Sequence, residues 1–403
     1  MTGMLRTTTD SGPGQSDGVR VLFAGGGTGG HIIPGAAIAE ALQSAVPGAR
    51  CLFLVTGRQA EKQCRGALRA FETTRGHDSP WQSLTDKLRF PIRSVLATES
   101  TLVTLGRFHP QVVVGLGGCN CIAPVLLGSV LGMRTMVIEA NAVPGRAARL
   151  LAPVADCVAV QWERAASGLR CRKVLPAGSP VRMRLFDVDR PTARRRLGLR
   201  PGRPTLLATG GSQGARALNE ALVGALCLLR KRDLPLQVLH ITGVDHLPAA
   251  LRARRRLGDA YRPVAFMEKI EEAYLAADFA FARAGGSTLS YLTAAGLPSV
   301  LVPYPYHADK HQEANAQVLA DAGAAFLLHQ RDLNTRRLAD LIGRLARREE
   351  LRAEMAERAR TLGRPAAAHA VAAEIATMAG VRTHVGHRPT DTGVSEWTRS
   401  RAA

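Results

Sequence analysis

The sequence predicts an α/β chain folded as two Rossmann-like, doubly wound domains that face one another across a cleft. Three observations predict it. Short apolar runs alternate with helical patterns along most of the 403 residues, and such alternation means parallel sheet. Two of those runs end in glycine turns that open a helix, GGGTGG before His31 and GGSQG before Ala215, so the second half repeats the plan of the first. The chain is also too long for one ordinary core, which gives a prior of two or three domains.

In order, residues 1–18 lack an apolar stretch and read as a flexible tail rather than a secretory signal. A buried-type strand over 19–24 leads through the first glycine turn into a helix over 34–45, with Pro34 suited to a first helical turn. Strands then fall at 51–55, 112–115, 135–138 and 157–160. Helices fall near 98–108, 124–131 and 146–151, with mixed helix around 61–70 and a poorly defined stretch over 73–91. The pattern breaks at Gly178-Ser-Pro-Val-Arg182, and a basic helical stretch over 192–197 precedes the fresh start. The second half gives strands at 205–208, 237–241, 262–266, 279–282 and 299–302, with helices at 215–230 and 271–277. The expected division is an N-terminal domain over 19–177, a C-terminal domain over 178–362, a last helix over 363–379 packing back toward the N-terminal domain, and a polar tail over 380–403.

Composition narrows the partners. The net charge is +20, yet aromatic residues make up only 4% of the chain and no nucleic-acid module signature is present. With so little to stack on bases, nucleic acid is not expected. Arginine clusters such as 194–196 and 254–256 read as solvated helix faces, with attraction to an anionic membrane surface as the rival reading. The segment 81–91, where Trp81, Leu84, Leu88 and Phe90 interleave with Lys87 and Arg89, is the membrane-contact candidate, against a core helix. No apolar run reaches the roughly 18–20 residues needed to span a bilayer, so a cytoplasmic protein is expected. The 7 cysteines form no C-x-x-C pair; reduced thiols and no metal site are the expectation.

The stretch that organises the second half is 285–315, GGSTLSYLTAAGLPSVLVPYPYHADKHQEAN. Gly285–Gly286 is a strand-to-helix turn suited to an anion. After the strand at 299–302, the loop brings His307, Asp309, His311 and Gln312 to the carboxyl edge of the sheet, where open α/β sheets bind ligands. A phosphate ester fits such a place.

The glycine loops admit competing readings. Gly25-x-Gly27-x-x-Gly30 fits a dinucleotide fingerprint, but no Asp or Glu lies between Glu40 and Glu61 to take a ribose. Gly210-x-Ser212-x-Gly214 fits a nucleophile elbow, with Asp309 and His311 able to complete a hydrolase triad. That reading leaves the first loop unused. The glycines can also be tight turns with nothing bound.

Five motifs in order carry a resemblance: GGGTGGHIIPGAAIAEAL, NAVPGRAARLL, GGSQGARALNEAL, RAGGSTLSYLTAAGLPSVLVPYP and HQEANAQVLADAGAA. Over residues 19–375 the chain resembles the bacterial glycosyltransferases that add N-acetylglucosamine to undecaprenyl-pyrophosphoryl-N-acetylmuramoyl-pentapeptide. The resemblance implies a GT-B glycosyltransferase fold, an acceptor on the N-terminal half, UDP-N-acetylglucosamine on the C-terminal half, inversion at the anomeric carbon, no cofactor or metal, and peripheral association with the cytoplasmic face of the membrane. A divergent relative with another donor or acceptor, a serine hydrolase using Ser212 and a nucleotide-sugar-binding protein without turnover are the alternatives.

The residues then take implied roles. Moving a sugar to a hydroxyl passes through an oxocarbenium-like state, so a departing diphosphate must be steadied and a proton removed. Arg182 matches the family cation for the diphosphate, beside the amides of Ser212, Gln213 and Gly214. Asn141 matches the asparagine on the donor sugar, and Ser290, Tyr291 and Gln312 belong to the donor pocket. Thr28, Gly29 and Gly30 would cradle a pyrophosphate, with Thr28 and Gly29 within reach of the donor. Gly27, Gly30, Gly117 and Gly118 face the acceptor. His31, at a helix N-terminus where its pKa tends to fall, is the candidate base, against a capping or core histidine. Three departures from the family pattern stand out: Cys119-Asn-Cys-Ile-Ala after Gly118, Ile138-Glu-Ala-Asn141, and Tyr291 where the family has a ribose-binding glutamate.

Overall fold

The computed structural model describes residues 18–25, 29–55, 68, 70–75, 90–182, 188–306 and 309–381. The first half carries β1 (Arg20–Ala24), α1 (Gly29–Ala45), β2 (Arg50–Val55), β3 (Glu72–Arg75), α2 (Phe90–Phe108), β4 (Val112–Gly115), α3 (Ile122–Val130), β5 (Arg134–Glu139), α4 (Arg146–Leu151), β6 (Cys157–Val160) and β7 (Val174–Leu175). The second carries α5 (Arg190–Arg196), β8 (Thr205–Thr209), α6 (Arg216–Lys231), β9 (Gln237–Ile241), α7 (Leu247–Leu257), β10 (Tyr261–Val264), α8 (Ile270–Ala276), β11 (Phe279–Ala282), α9 (Gly286–Ala294), β12 (Ser299–Leu301), α10 (His311–Asp321) and β13 (Ala325–Leu327). Three helices follow, α11 (Thr335–Arg347), α12 (Glu349–Leu362) and α13 (Ala367–Met378).

The strands form two sheets, a seven-stranded one ordered β3-β2-β1-β4-β5-β6-β7 and a six-stranded one ordered β10-β9-β8-β11-β12-β13. Neighbouring strands run parallel throughout, as in β1 beside β4 and β8 beside β11. In each sheet the first strand of its half lies inside, and the order reverses beside it. That reversal opens a crevice at the carboxyl edge.

Alternation along β1 explains the layering. Val21 and Phe23 belong to the core under α1, while Leu22 and Ala24 belong to the core under α2, α3 and α4. A strand buried on both faces reads as a continuous apolar run, which is why VLFA carries no polar residue. Helix α13 is last in the chain yet lies in the first half's core. Ala368, Val371, Ala372, Ile375 and Ala376, spaced three and four apart, pack with Ala36 and Ala37 of α1.

Two sequence expectations need correction. The first helix starts at Gly29, not at Pro34, so Gly29, Gly30 and His31 form its opening turn and Pro34 lies inside it. The stretch left undefined after 73 includes a strand, β3, paired with β2. The membrane-contact candidates over 81–89 lie outside the described residues. Among the described residues, no helix is long and apolar enough to cross a membrane.

Candidate functional site

The site begins where the loops at the carboxyl edge of the first sheet meet. The turn after β4 takes positive φ at Gly117 (98°) and Gly118 (73°), which side chains rarely adopt. The same glycines make a bed for an imidazole. A Cβ on Gly117 would stand 3.2 Å from Cδ2 of His31, and one on Gly118 would stand 3.4 Å from its Cε1. The two glycine loops named as acceptor ground are thus joined through His31, with Gly25 also against the carbonyl of Gly117. Gly27 and Thr28 lie outside the described residues, and Gly29 and Gly30 open α1.

Nδ1 of His31 is buried with no hydrogen-bond partner. Burial pushes its pKa below 6.5, and the neighbouring imidazole of His311 adds to the effect. A neutral ring at physiological pH results. His311 begins α10 in the other half, where its Nδ1 is 2.7 Å from Oδ1 of Asp309.

Glu139, at the end of β5, shapes the next loop. Its Oε1 accepts the Asn141 amide (2.8 Å) and Asn141 Nδ2 (2.9 Å), and its Oε2 accepts the Gly145 amide (2.7 Å). Burial outweighs these bonds and raises its pKa above the ordinary carboxylate value, while His311 pulls the other way. The charge of His311 is thus felt at both His31 and Glu139.

That loop meets the second half directly. Asn315 of α10 donates from Nδ2 to Oδ1 of Asn141 (3.0 Å) and to the carbonyl of Ala284 (3.0 Å), and its Oδ1 accepts the Ala142 amide (2.7 Å). Gly286, the first residue of α9, lies so close to Ala140 that a Cβ would come within 2.8 Å of the Ala140 carbonyl. The Gly285–Gly286 turn, expected to present itself to an anion, packs its Gly286 Cα against this loop.

In the second half, Gly214 (φ 76°) closes the turn after β8, and its amide donates to the Gly211 carbonyl at 3.0 Å. A Cβ there would collide with the carbonyl of Thr242. Ser212, Gln213 and Gly214 thus form a tight turn at the carboxyl end of a central strand. Gln312 has a structural partner: its Oε1 accepts the Tyr304 amide at 3.0 Å and fastens the loop after β12.

Three other expectations meet buried side chains. Arg182 is 4% exposed; its Nη2 donates to Oε1 of Glu40 on α1 at 2.7 Å, and its Nη1 is 4.0 Å from Glu271. Its guanidinium holds the halves together through carboxylates, rather than standing open to a diphosphate. Tyr291 is buried likewise. It is 3% exposed, its ring stacks on Tyr274 with centroids 4.9 Å apart, and its hydroxyl is buried without a hydrogen-bond partner. Burial raises the pKa of the phenol. Ser290 turns to the Gly286 carbonyl (2.9 Å) and to Gln161 of the first half (3.4 Å).

Sequence reasoning missed Asn315, which only closed a quoted motif, and Arg283. At the end of β11, Arg283 donates to the carbonyls of Val302 (3.1 Å) and Pro303 (2.9 Å) and to Oε1 of Gln330 (2.6 Å). Burial pulls its pKa down to about 10. A cation at the carboxyl edge, braced by carbonyls and by the Tyr304 ring 5.5 Å away, with no carboxylate in an ion pair with it among the described residues, favours a negative ligand nearby.

Comparison with known proteins identifies the two halves. The family model described as the glycosyltransferase family 28 N-terminal domain matches residues 21–160, and that of the glycosyltransferase family 28 C-terminal domain matches residues 205–371. A relative from Sorangium cellulosum is 39% identical over 374 residues, covering 91% of this chain and 90% of that protein. One from Caldanaerobacter subterraneus subsp. tengcongensis is 35% identical over 361 residues, covering 88% and 98%. Both bear the name UDP-N-acetylglucosamine–N-acetylmuramyl-(pentapeptide) pyrophosphoryl-undecaprenol N-acetylglucosamine transferase. Among solved structures, Acinetobacter baumannii MurG superposes with a TM-score of 0.66 at 28% identity, covering 89% of this chain and 99% of that one. The S. aureus MnaA-UDP structure shares the fold, with a TM-score of 0.66 at 14% identity over 90% and 98%.

Proposed function

We propose, from the premise that this chain belongs to glycosyltransferase family 28, that it moves N-acetylglucosamine from UDP-N-acetylglucosamine to lipid-linked N-acetylmuramoyl-pentapeptide in peptidoglycan precursor synthesis. The observation that carries the reading is the meeting of the two halves at the carboxyl edges of their sheets, where Asn315 of α10 bonds Asn141 and Ala142 close to the glycine bed that holds His31. A transfer between two substrates needs such a meeting place, because bond making and breaking share one carbon.

In this reading the acceptor occupies a domain over 19–177 and the donor one over 178–362, with the helix of 363–379 tying the chain back to the first. The acceptor hydroxyl attacks the anomeric carbon from the face opposite the diphosphate. The new C–O bond forms as the bond to the UDP oxygen breaks, and the hydroxyl proton passes to a neutral imidazole, for which His31 is our candidate. The Ser212–Gly214 turn and the charge of Arg283 steady the departing diphosphate. Asn141 reaches the donor sugar, held in place by Glu139 and Asn315.

The acceptor's lipid tail requires work at a membrane surface. We place the protein peripherally on the cytoplasmic face, where its excess of basic residues is attracted to anionic lipid. The test is UDP release measured with and without lipid acceptor across a set of UDP-sugars. Release should need both the acceptor and the N-acetylglucosamine donor. Equal release without acceptor would support a hydrolase and contradict the reading.

A further inference from the structure

The edge of the second sheet away from the cleft holds a separate feature. Beside the amino ends of β9 and β10, between the last turns of α6 and α7, lies a cavity of about 500 Å³. Leu226, Leu229 and Leu257 contribute apolar wall, and Arg200, Arg203 and Arg230 border it.

These three arginines differ from their neighbours. Arg194 pairs with Asp278 at 2.6 Å, Arg196 with Glu272 at 2.9 Å, Arg232 with Asp340 at 3.0 Å and Arg254 with Asp259 at 3.3 Å. Among the described residues Arg200, Arg203 and Arg230 make no ion pair, and Nε of Arg203 is buried with no hydrogen-bond partner. Arg230 sits in the last turn of α6, where the helix dipole favours a cation. Arg200 and Arg203 lie on a loop, so no dipole accounts for them. Two carboxylates also border the cavity: Asp259 is engaged by Arg254, and exposed Asp233 pairs with none of the three.

The loop is fixed before any ligand arrives. Gln237, 3% exposed, accepts the Arg200 amide at 2.9 Å and donates from Nε2 to the carbonyls of Arg200 (2.8 Å) and Arg203 (3.1 Å). Guanidinium forks match phosphate oxygens in geometry and charge. The volume lies in the range that holds small molecules, about 300–1,000 Å³.

We infer that this cavity is a second ligand site, taking a small phosphomonoester with a short apolar body. It is independent of the transferase reading, since no residue of the cleft takes part.

The test is calorimetric titration of the full chain with hexyl phosphate and with inorganic phosphate, each with saturating UDP present to occupy the cleft. Hexyl phosphate should bind at least fivefold more tightly than inorganic phosphate. Arg203→Gln combined with Arg230→Gln should weaken both at least tenfold while the circular dichroism spectrum is unchanged. If that pair fails to fold, Arg203→Lys keeps the charge, removes the fork, and should still cost threefold or more. A second arm sediments the protein with vesicles containing phosphatidic acid. Sedimentation lost in the double variant assigns a lipid-borne phosphomonoester, and hexyl phosphate binding without sedimentation assigns a soluble one. Absence of saturable binding, or equal binding by the variants, overturns the site.

Discussion

Asn315 and Asn141 hold each other across the two halves, Nδ2 to Oδ1 at 3.0 Å, while the other end of the Asn315 amide accepts the Ala142 N–H at 2.7 Å. Asn315 is fully buried, so both ends of one amide are used to fix the loop against α10. A neutral amide presents a donor and an acceptor at that spacing, which an ionised carboxylate does not.

Asn315→Leu should therefore cost about 1–3 kcal/mol of folding stability, the penalty for leaving buried polar groups unmet, and should raise the KM for the donor. Asn315→Asp should fare no better, because its second oxygen would face the oxygens of Asn141 and Ala284. Urea unfolding and initial rates check this. Unchanged stability and KM in both variants would remove Asn315 from the site.

Arg182 and Glu40 form the second tie, at 2.7 Å with the arginine side chain 5% exposed. Removing one partner strands the other charge, so Arg182→Ala should lower stability by about 3–5 kcal/mol. A double-mutant cycle with Glu40→Gln should return a coupling of about 0.5–3 kcal/mol. A variant with full stability and reduced turnover would instead return Arg182 to the leaving group.

Tyr291→Phe removes a buried hydroxyl that has no partner. Such a change is close to neutral or stabilising, so the melting temperature should hold or rise and UDP affinity should stay within about twofold. A tenfold loss of UDP affinity would place the hydroxyl on the ribose after all.

How far the sequence reaches is plain from these residues. The strands at 112–115, 157–160, 237–241 and 279–282 were legible because apolar runs bounded by turns admit little else. The turns at Gly117–Gly118 and Gly214 were legible because positive φ selects glycine. Burial was not. Nothing local distinguishes a tyrosine facing a ribose from one stacked on Tyr274, 17 positions away. The role of Asn315 depends on a partner 174 residues distant, and that of Arg283 on carbonyls of the next strand. The edge strand β3 was missed because its ETTR is polar throughout, and β13 because three residues make too short an apolar run.

The lowered pKa of His31 sets a pH dependence. A base works when unprotonated, so kcat/KM should fall only as pH drops through a value below 6.5. The same direction means that His31 supports folding above pH 6.5 and loses that support as pH falls further, so rates and melting curves belong together. His31→Ala should slow turnover by roughly 100- to 10,000-fold and abolish the acid limb. An unchanged limb in that variant would assign the proton elsewhere.

The most direct measurement supplies UDP-N-acetylglucosamine labelled in the sugar, together with lipid-linked N-acetylmuramoyl-pentapeptide, and follows label, UDP and anomeric configuration. The label should enter the lipid, with one UDP released per sugar and the α-linkage of the donor converted to β in the product. Label recovered as free N-acetylglucosamine, or no transfer by a folded protein, would contradict the account.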